Sequence, residues 1–336
     1  MEYKISVIVP IYNSAPFLEI CVDSLMKQDL NEIEYIFIND ASTDDSLLVL
    51  KNTLRKYPNK HSNIINLEKN GGISNARNIG LKYAKGEYVT HCDSDDWIDY
   101  KMYSTLYDLA SKNDADIATC DFVDEYNSYR IFHSQPYSAN MEDNIRRILN
   151  GDIFPSLWSS IIKRKLISTH NLSFPKDLNM GEDLLFNIQV YIYANKIIHN
   201  DSKFYHYRHS ENSVCVRKSR ESIDSDIAIA GHIEAFLTEI GCKDHFFSEI
   251  QYRKFYSKLA LIRDLNNKNN YREWLAIYPE THKHIMKFKK IDLKFRLILW
   301  LSANNLLFFA RIIQKLIKWQ HESFKAVHRF FHLTSI

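Results

Sequence analysis

The chain has 336 residues, 45% of them hydrophobic and 25% charged, and a net charge of +2, which suits a globular protein and excludes a strongly basic nucleic-acid binder. Its cysteines (Cys21, Cys92, Cys120, Cys215 and Cys242) form no CxxC pair, so the composition predicts a reducing compartment and neither a disulfide framework nor a zinc site. Met1-Glu2-Tyr3-Lys4 lacks the basic start of a signal peptide, and the most apolar later run, 295–313, is interrupted by Arg296, Asn304, Asn305 and Arg311, so the expected location is the cytoplasm.

The first 120 residues alternate between two periods. Ile5-Ser6-Val7-Ile8-Val9 is a short β-rich run, and Ala15 to Lys27 carries helical spacing through Phe17, Leu18, Cys21, Val22 and Leu25. Glu34 to Ile38 predicts a second strand. The polar break Asn39-Asp40-Ala41-Ser42-Thr43 follows it, then a helix with Leu47, Leu48, Leu50 and Leu54 on its apolar side. Asn63 to Leu67 predicts a third strand, Gly71-Gly72 a turn, and Ser74 to Lys85 a helix. Glu87 to Cys92 is the fourth strand, followed by a helix near Lys101 to Ser111 and the run Asp116 to Cys120.

This alternation predicts an α/β fold: a mostly parallel sheet with helices on both faces, whose ligands bind outside the carboxyl ends of the strands. Asp40, Gly71-Gly72 and Asp93–Asp95 all fall at such ends. From 121 to 215 the pattern loosens into short strands and one helix near Asp183 to Ala194. Beyond Ser219 it reads as helix after helix. The expected division is a catalytic domain over 1–215, with a donor half at 1–120 and an acceptor half at 121–215, and a helical region over 216–336.

The densest chemistry is Asp93-Ser94-Asp95-Asp96. Asp93 and Asp95, at spacing two, face one way on an extended backbone, and paired hard oxygen donors suit Mg²⁺ or Mn²⁺ bridging to a diphosphate. The competing reading is a solvated acidic turn in which Asp96 or Asp99 caps the next helix.

Four blocks then stand in order: Val7-Ile8-Val9-Pro10-Ile11-Tyr12-Asn13, Asn39-Asp40-Ala41-Ser42-Thr43-Asp44, Asn70-Gly71-Gly72-Ile73-Ser74-Asn75-Ala76-Arg77-Asn78, and Asp93-Ser94-Asp95-Asp96. Together they resemble family-2 glycosyltransferases with a GT-A (Rossmann-like) fold, of the kind that builds bacterial polysaccharide or lipid-linked glycans. One departure is Ala41, where the family usually carries Gly or another small residue; Ala there implies a less strained turn.

The resemblance implies a nucleotide-sugar donor, commonly UDP-linked, and a hexosyl- or N-acetylhexosaminyltransferase. It implies that Pro10, Tyr12 and Asn13 wall the nucleotide, and that Asp40 accepts from uracil or ribose. Arg77 and the amides around Gly71-Gly72 would lie near the nucleotide and phosphates, with Gly72 at the donor. Asp93, Ser94 and Asp95 would meet the ribose and a Mn²⁺ or Mg²⁺ ion, Asp95 as its direct ligand. Asn179-Met180-Gly181-Glu182-Asp183 is similar to the family's Glu-Asp block. It implies Asp183 as the general base of an inverting transfer, with Glu182 supporting the acceptor or orienting Asp183. Such a base must come within about 3 Å of the acceptor hydroxyl. A first-turn acid is a weakened base by the helix dipole, and desolvation opposes that.

Trp158-Ser159-Ser160 resembles the block bordering the sugar pocket, a buried core Trp being the alternative. In Tyr205-His206-Tyr207-Arg208-His209, with Ser213 beyond, His206 is the candidate for a metal shell or phosphate contact and Arg208 for phosphate. Strand alternation puts those two on one face.

The C-terminal stretch mixes Lys287, Lys289, Lys290, Lys294, Arg296, Arg311, Lys315, Lys318, Lys325 and Arg329 with Phe, Leu, Ile and Trp. It predicts an amphipathic surface for anionic lipid on the inner face of the plasma membrane, suited to a lipid-linked acceptor, or else a helical domain with solvated cations. The alternatives to glycosyl transfer are a nucleotidyltransferase, which usually needs a Gly-rich basic loop that 11–16 does not supply, and a sugar-nucleotide binder without chemistry.

Overall fold

The structure, a computed structural model, describes residues 2–176, 178, 180–209 and 219–317. Ser213, Lys318, Lys325 and Arg329 lie outside the described residues. The first strands and helices are β1 (Ile5–Ile11), α1 (Ala15–Met26), β2 (Ile33–Asn39), α2 (Ser46–Leu54), β3 (His61–Asn66), α3 (Ile73–Tyr83), β4 (Tyr88–His91), β5 (Trp97–Ile98) and α4 (Met102–Asn113). There follow β6 (Ile117–Glu125), β7 (Arg130–His133), α5 (Met141–Leu149), β8 (Ser160–Lys163), α6 (Arg164–Thr169), α7 (Glu182–Tyr193), β9 (Ile197–Arg208) and α8 (Arg220–Glu239).

Nine strands form one sheet in the order β3-β2-β1-β4-β8-β6-β9-β5, with β7 paired to β6. The predicted alternation becomes the parallel half β3-β2-β1-β4. Beyond β4 the sheet is mixed: β8 is antiparallel to β4 and β6, and β9 is parallel to β6. All seven residues of β1 are buried, as expected of a central strand covered on both faces. Cys21 and Cys92 share the core beneath with Leu18, Val22, Leu25, Tyr35, Tyr88, Met102, Tyr103 and Leu106, and their thiols are free.

Pro10 has no N–H to give, and β1 has a place for it. The β1–β4 register ends at Ile8 opposite His91, and β1 continues paired only with β2, whose Asp40 amide donates to Ile11. Pro10 follows the last β4 pairing on the same edge, so no ladder bond is lost. β2 and β4 flank β1, so Asp40 and Asp93 leave the sheet on either side of Pro10–Asn13, where the strand order reverses.

Residues 121–215 hold more helix than the loosened pattern predicts. α5 is capped by Asn140, whose side chain accepts from the Glu142 amide at 2.9 Å, and it buries Asn144, Ile145, Ile148 and Leu149. β9 is one twelve-residue strand. The chain divides into two units after Leu237, inside α8. Most of α8 belongs with α7: Ile229 lies against Gly181, and Phe236 meets Tyr193 edge-on at 6.3 Å.

The second unit carries α9 (Phe247–Ser257), α10 (Lys268–Ala276), α11 (Leu293–Ala303) and a helix over 307–317. α9 ends at Lys258. Its buried ammonium donates to the carbonyls of Trp274, Ile277 and Tyr278. No helix among the described residues is long and apolar enough to cross a membrane.

Candidate active site

β4 ends at His91 and the backbone then turns, the Asp96 amide donating to the Asp93 carbonyl at 3.2 Å. The expected extended segment is therefore a turn, yet its side chains still alternate. Ser94 and Asp96 are buried, whereas Asp93 and Asp95 are half-buried. Ser94 Oγ meets Ser14 Oγ at 2.7 Å, tying the turn to the start of α1. Asp96 is neither solvated nor a helix cap. It accepts from the Tyr205 hydroxyl and the Arg208 amide, each at 2.7 Å, and burial holds its pKa well above the usual carboxylate range. Tyr205 in turn accepts from the Asp93 amide at 3.2 Å. Asp95 is pushed up to about 6, by burial and then by the charge of Asp93.

Arg77 organises the other side. Ser74, Arg77 and Asn78 lie at i, i+3 and i+4 on α3, and all three reach the segment leading into α7. Ser74 Oγ donates to the Leu178 carbonyl at 3.2 Å, and the Asn78 side chain exchanges two hydrogen bonds with the Phe174 backbone, each 2.9 Å. Arg77, 4% exposed, donates to Glu182 at 2.5 Å and to Asp93 at 3.1 Å, with the Phe174 ring 5.6 Å from its guanidinium. Burial disfavours its charge, but Asp93, Glu182 and Asp183 outweigh that and raise its pKa. Where the resemblance implies the nucleotide and phosphates for Arg77, each terminal nitrogen donates to a carboxylate of the protein. Glu182 is equally buried and spent on Arg77, so it supports the site through that pair and does not reach toward an acceptor.

Asp183 follows on the first turn of α7, after Gly181 at φ +79°. It is half-buried, and its carboxylate accepts from the Leu184 amide at 2.7 Å. Burial, then Glu182, push its pKa up to about 7 against the pull of Arg77 and that amide. Desolvation thus outweighs the first-turn effect, and the carboxyl sits where a general base works best near neutral pH.

Asp40 is buried, and its two oxygens accept from the amides of Gly71 and Gly72, each at 2.8 Å. Those amides are therefore committed to Asp40 and do not point to a phosphate. Asn13, at φ +51°, accepts from the Thr43 amide at 2.8 Å, and its own amide donates to Ser42 Oγ at 3.1 Å. These bonds leave Tyr12 half exposed beside them. Ala41 adopts φ +54°. The less strained turn expected for Ala is not what forms: the chain keeps the left-handed turn and Ala41 bears its strain.

On β9, Tyr205 and Tyr207 stack against Trp158 at 4.1 and 5.7 Å. Trp158 is 4% exposed, within the core behind the acidic turn, so it supports Tyr205 and does not border the opening. His206 and Arg208 share the opposite face, both against the Trp97 ring. Where the resemblance implies a metal-shell or phosphate contact for His206, its Nδ1 pairs with Glu125 at 2.8 Å and its Nε2 with Asp99 at 3.3 Å. Arg208 Nε donates to the Asp95 carbonyl at 2.7 Å, which holds a half-buried guanidinium beside the acidic turn.

Among the described residues no group of three or more His, Cys, Asp or Glu is arranged to hold a metal ion. Asp93 and Asp95 supply two carboxylates, which fits an ion bound by one or two carboxylates and completed by substrate phosphates. Sequence reading missed Tyr205, Ser14 and Phe174, which position these groups from a distance. The alternation of β9 was the available signal for Tyr205; no local pattern marks the other two.

Residues 6–170 match the profile of the family described as Glycosyl transferase family 2. The uncharacterized glycosyltransferase EpsJ of Bacillus subtilis (strain 168) is 30% identical over 230 residues, 66% of this chain and 66% of EpsJ. The poly(ribitol-phosphate) beta-N-acetylglucosaminyltransferase TarS of Staphylococcus aureus (strain Mu50 / ATCC 700699) is 34% identical over 218 residues, 61% of this chain and 35% of TarS. The crystal structure of S. aureus TarS residues 1–349 matches with a TM-score of 0.68 and 24% identity, covering 94% of this chain and 92% of that one. The same fragment has been solved in complex with UDP-GlcNAc. Mannosyltransferase PcManGT from Pyrobaculum calidifontis, solved with GDP-Man and Mn²⁺, matches with a TM-score of 0.52 and 17% identity, covering 96% of this chain and 85% of that one. The sequence profile and the shared fold set aside the nucleotidyltransferase alternative, and the protein belongs to glycosyl transferase family 2 as a glycosyltransferase of the GT-A fold.

Proposed function

We propose that the protein transfers a sugar from a UDP-linked donor to a hydroxyl of a glycan or lipid-linked glycan, by single displacement with inversion at the anomeric carbon. The observation that carries this reading is the Asp183 carboxyl at the start of α7, beside Glu182, which Arg77 ties to Asp93 of the acidic turn. Asp183 takes the proton of the acceptor hydroxyl as its oxygen bonds to the anomeric carbon and the bond to the diphosphate breaks. Glu182 and Arg77 hold Asp183 near the donor carboxylates. Pro10, Tyr12, Asn13 and Asp40 line the nucleotide side, and Arg208, unlike Arg77, offers its guanidinium to phosphate. Asp95 and Asp93 would hold Mn²⁺ or Mg²⁺, which when bound supplies positive charge to the departing diphosphate. The fold shared with TarS, which was solved in complex with UDP-GlcNAc, favours uracil as the base.

The second unit supports a peripheral membrane location. Leu293, Phe295 and Trp300 on α11 are exposed, as are Phe308, Ile312 and Leu316, which share one face at four-residue spacing. Lys289, Lys290, Lys294 and Lys315 lie among them in sequence, the mixture that binds anionic headgroups.

The test is UDP release from a panel of UDP-sugars with Mn²⁺ and lipid-linked acceptors. Asp183→Asn should lose about 10²–10⁴-fold in transfer while keeping donor affinity. Full turnover by that variant would overturn the base assignment.

A further inference from the structure

An aromatic layer runs from the acidic turn toward solvent. Tyr205, which holds Asp96 and the Asp93 amide, stacks on Trp158, and Trp158 meets Phe122 edge-on at 5.0 Å. Phe154 ends the series, with its ring 5.7 Å from Phe122, 6.0 Å from Trp158 and 6.4 Å from Tyr207. It is nevertheless 45% exposed, although apolar surface left in water is unfavourable.

The exposed ring is held on a fixed backbone. The Phe154 amide donates to the Gln135 side chain at 3.1 Å, and the Pro155 carbonyl accepts from Asn187 at 2.9 Å. Asn187 is buried, one helical turn past Asp183 on α7, so the same helix that carries the base anchors the loop that presents the ring. Hydrogen-bonding groups border Phe122, on which it packs. Phe122 also stacks with His133 at 4.5 Å, and His133 and His209 approach opposite oxygens of Asp124, at 2.8 and 3.1 Å.

We propose that Phe154 is a stacking platform for the acceptor, which is a pyranose whose apolar C–H face lies on the ring while its hydroxyls meet the histidine–aspartate rim. A pyranose presents one apolar face and a belt of hydroxyls, which matches a rigid exposed aromatic beside polar groups. An open-chain polyol phosphate has no such face. The inference rests on the glycosyltransferase reading and narrows its acceptor class.

Saturation-transfer NMR on the full chain tests it, with UDP and Mn²⁺ present and four probes: methyl β-D-glucopyranoside, methyl β-D-galactopyranoside, methyl N-acetyl-β-D-glucosaminide and ribitol 5-phosphate. At least one pyranoside should receive saturation on its ring C–H protons, and ribitol phosphate should not. Phe154→Leu, which keeps apolar bulk without a ring, should reduce the pyranoside signal about fivefold, and Phe154→Trp should preserve it. The UDP signal should be the same in all three proteins, which shows the donor site intact. A wild-type chain that engages no pyranoside, or a Phe154→Leu variant with full signal, overturns the platform while UDP binding stands. Loss of the UDP signal in the wild-type chain overturns the donor reading and this inference with it.

Discussion

Arg77 and Glu182 are 105 residues apart in sequence and joined by a 2.5 Å ion pair that is almost fully buried. The same guanidinium holds Asp93, so a single side chain sets the acidic turn after β4 relative to the start of α7.

Removing one partner of a buried pair strands the other charge, at about 3–5 kcal/mol. Arg77→Ala should therefore lower stability by that order in urea titrations. Arg77→Lys should recover little, because one ammonium does not reproduce a planar fork between two carboxylates. Wild-type stability in Arg77→Lys would show that the pair contributes no organisation.

The pH profile follows from Asp183. With its carboxyl pushed up to about 7, transfer should rise with pH through about 7 as the base becomes ionised. Arg77 opposes that upward shift, so the rise should move to higher pH in Arg77→Ala. The stability effect has the opposite sign. A folded-state pKa above the ordinary carboxylate value favours the protonated fold, so the contribution is complete below about pH 4 and is lost as pH rises toward 7. Asp183→Asn should flatten that part of the melting temperature–pH curve, and an unchanged curve would contradict the assignment.

Asp95 makes a separate prediction about the metal. Its carboxyl, pushed up to about 6, must lose its proton to ligate, so Mn²⁺ affinity should fall as pH drops through about 6. Electron paramagnetic resonance of free Mn²⁺, titrated with protein and UDP, reads this without turnover. Asp95→Asn should weaken the binding and remove its pH dependence, whereas His206→Ala should leave it unchanged.

Ala41→Gly should stabilise the protein by about 0.5–1 kcal/mol, because Gly adopts φ +54° without the steric penalty that Ala meets. Chemical denaturation of the two proteins checks it. Equal midpoints would mean that the turn relaxes around Ala.

For the second unit, the paired change Phe308→Asp and Leu316→Asp should abolish co-sedimentation with anionic vesicles. Wild-type binding should weaken as salt rises. Equal partitioning of both proteins would remove the membrane surface from the account.

The sequence by itself determined the elements whose causes are local. Apolar runs, helical spacing and turn residues placed β1 to β4 and their helices, and the four motif blocks put Asp40, Gly71-Gly72 and Asp93 at strand ends and Arg77 on the helix that follows β3. Asp183 was legible too, as a first-turn acid, but whether the helix dipole or desolvation governs its proton depends on what buries it. Only the tertiary structure decided which partner each polar group takes. Arg77 turned inward because α3 lies against the segment before α7, and Asp40 closed on two amides that sequence reading had assigned to phosphate. His206 took Glu125 and Asp99 as partners, the one from a neighbouring strand and the other from the loop after β5. A buried charge or donor must find its partner among whatever groups the fold brings within about 3 Å, and that proximity is written in no local pattern.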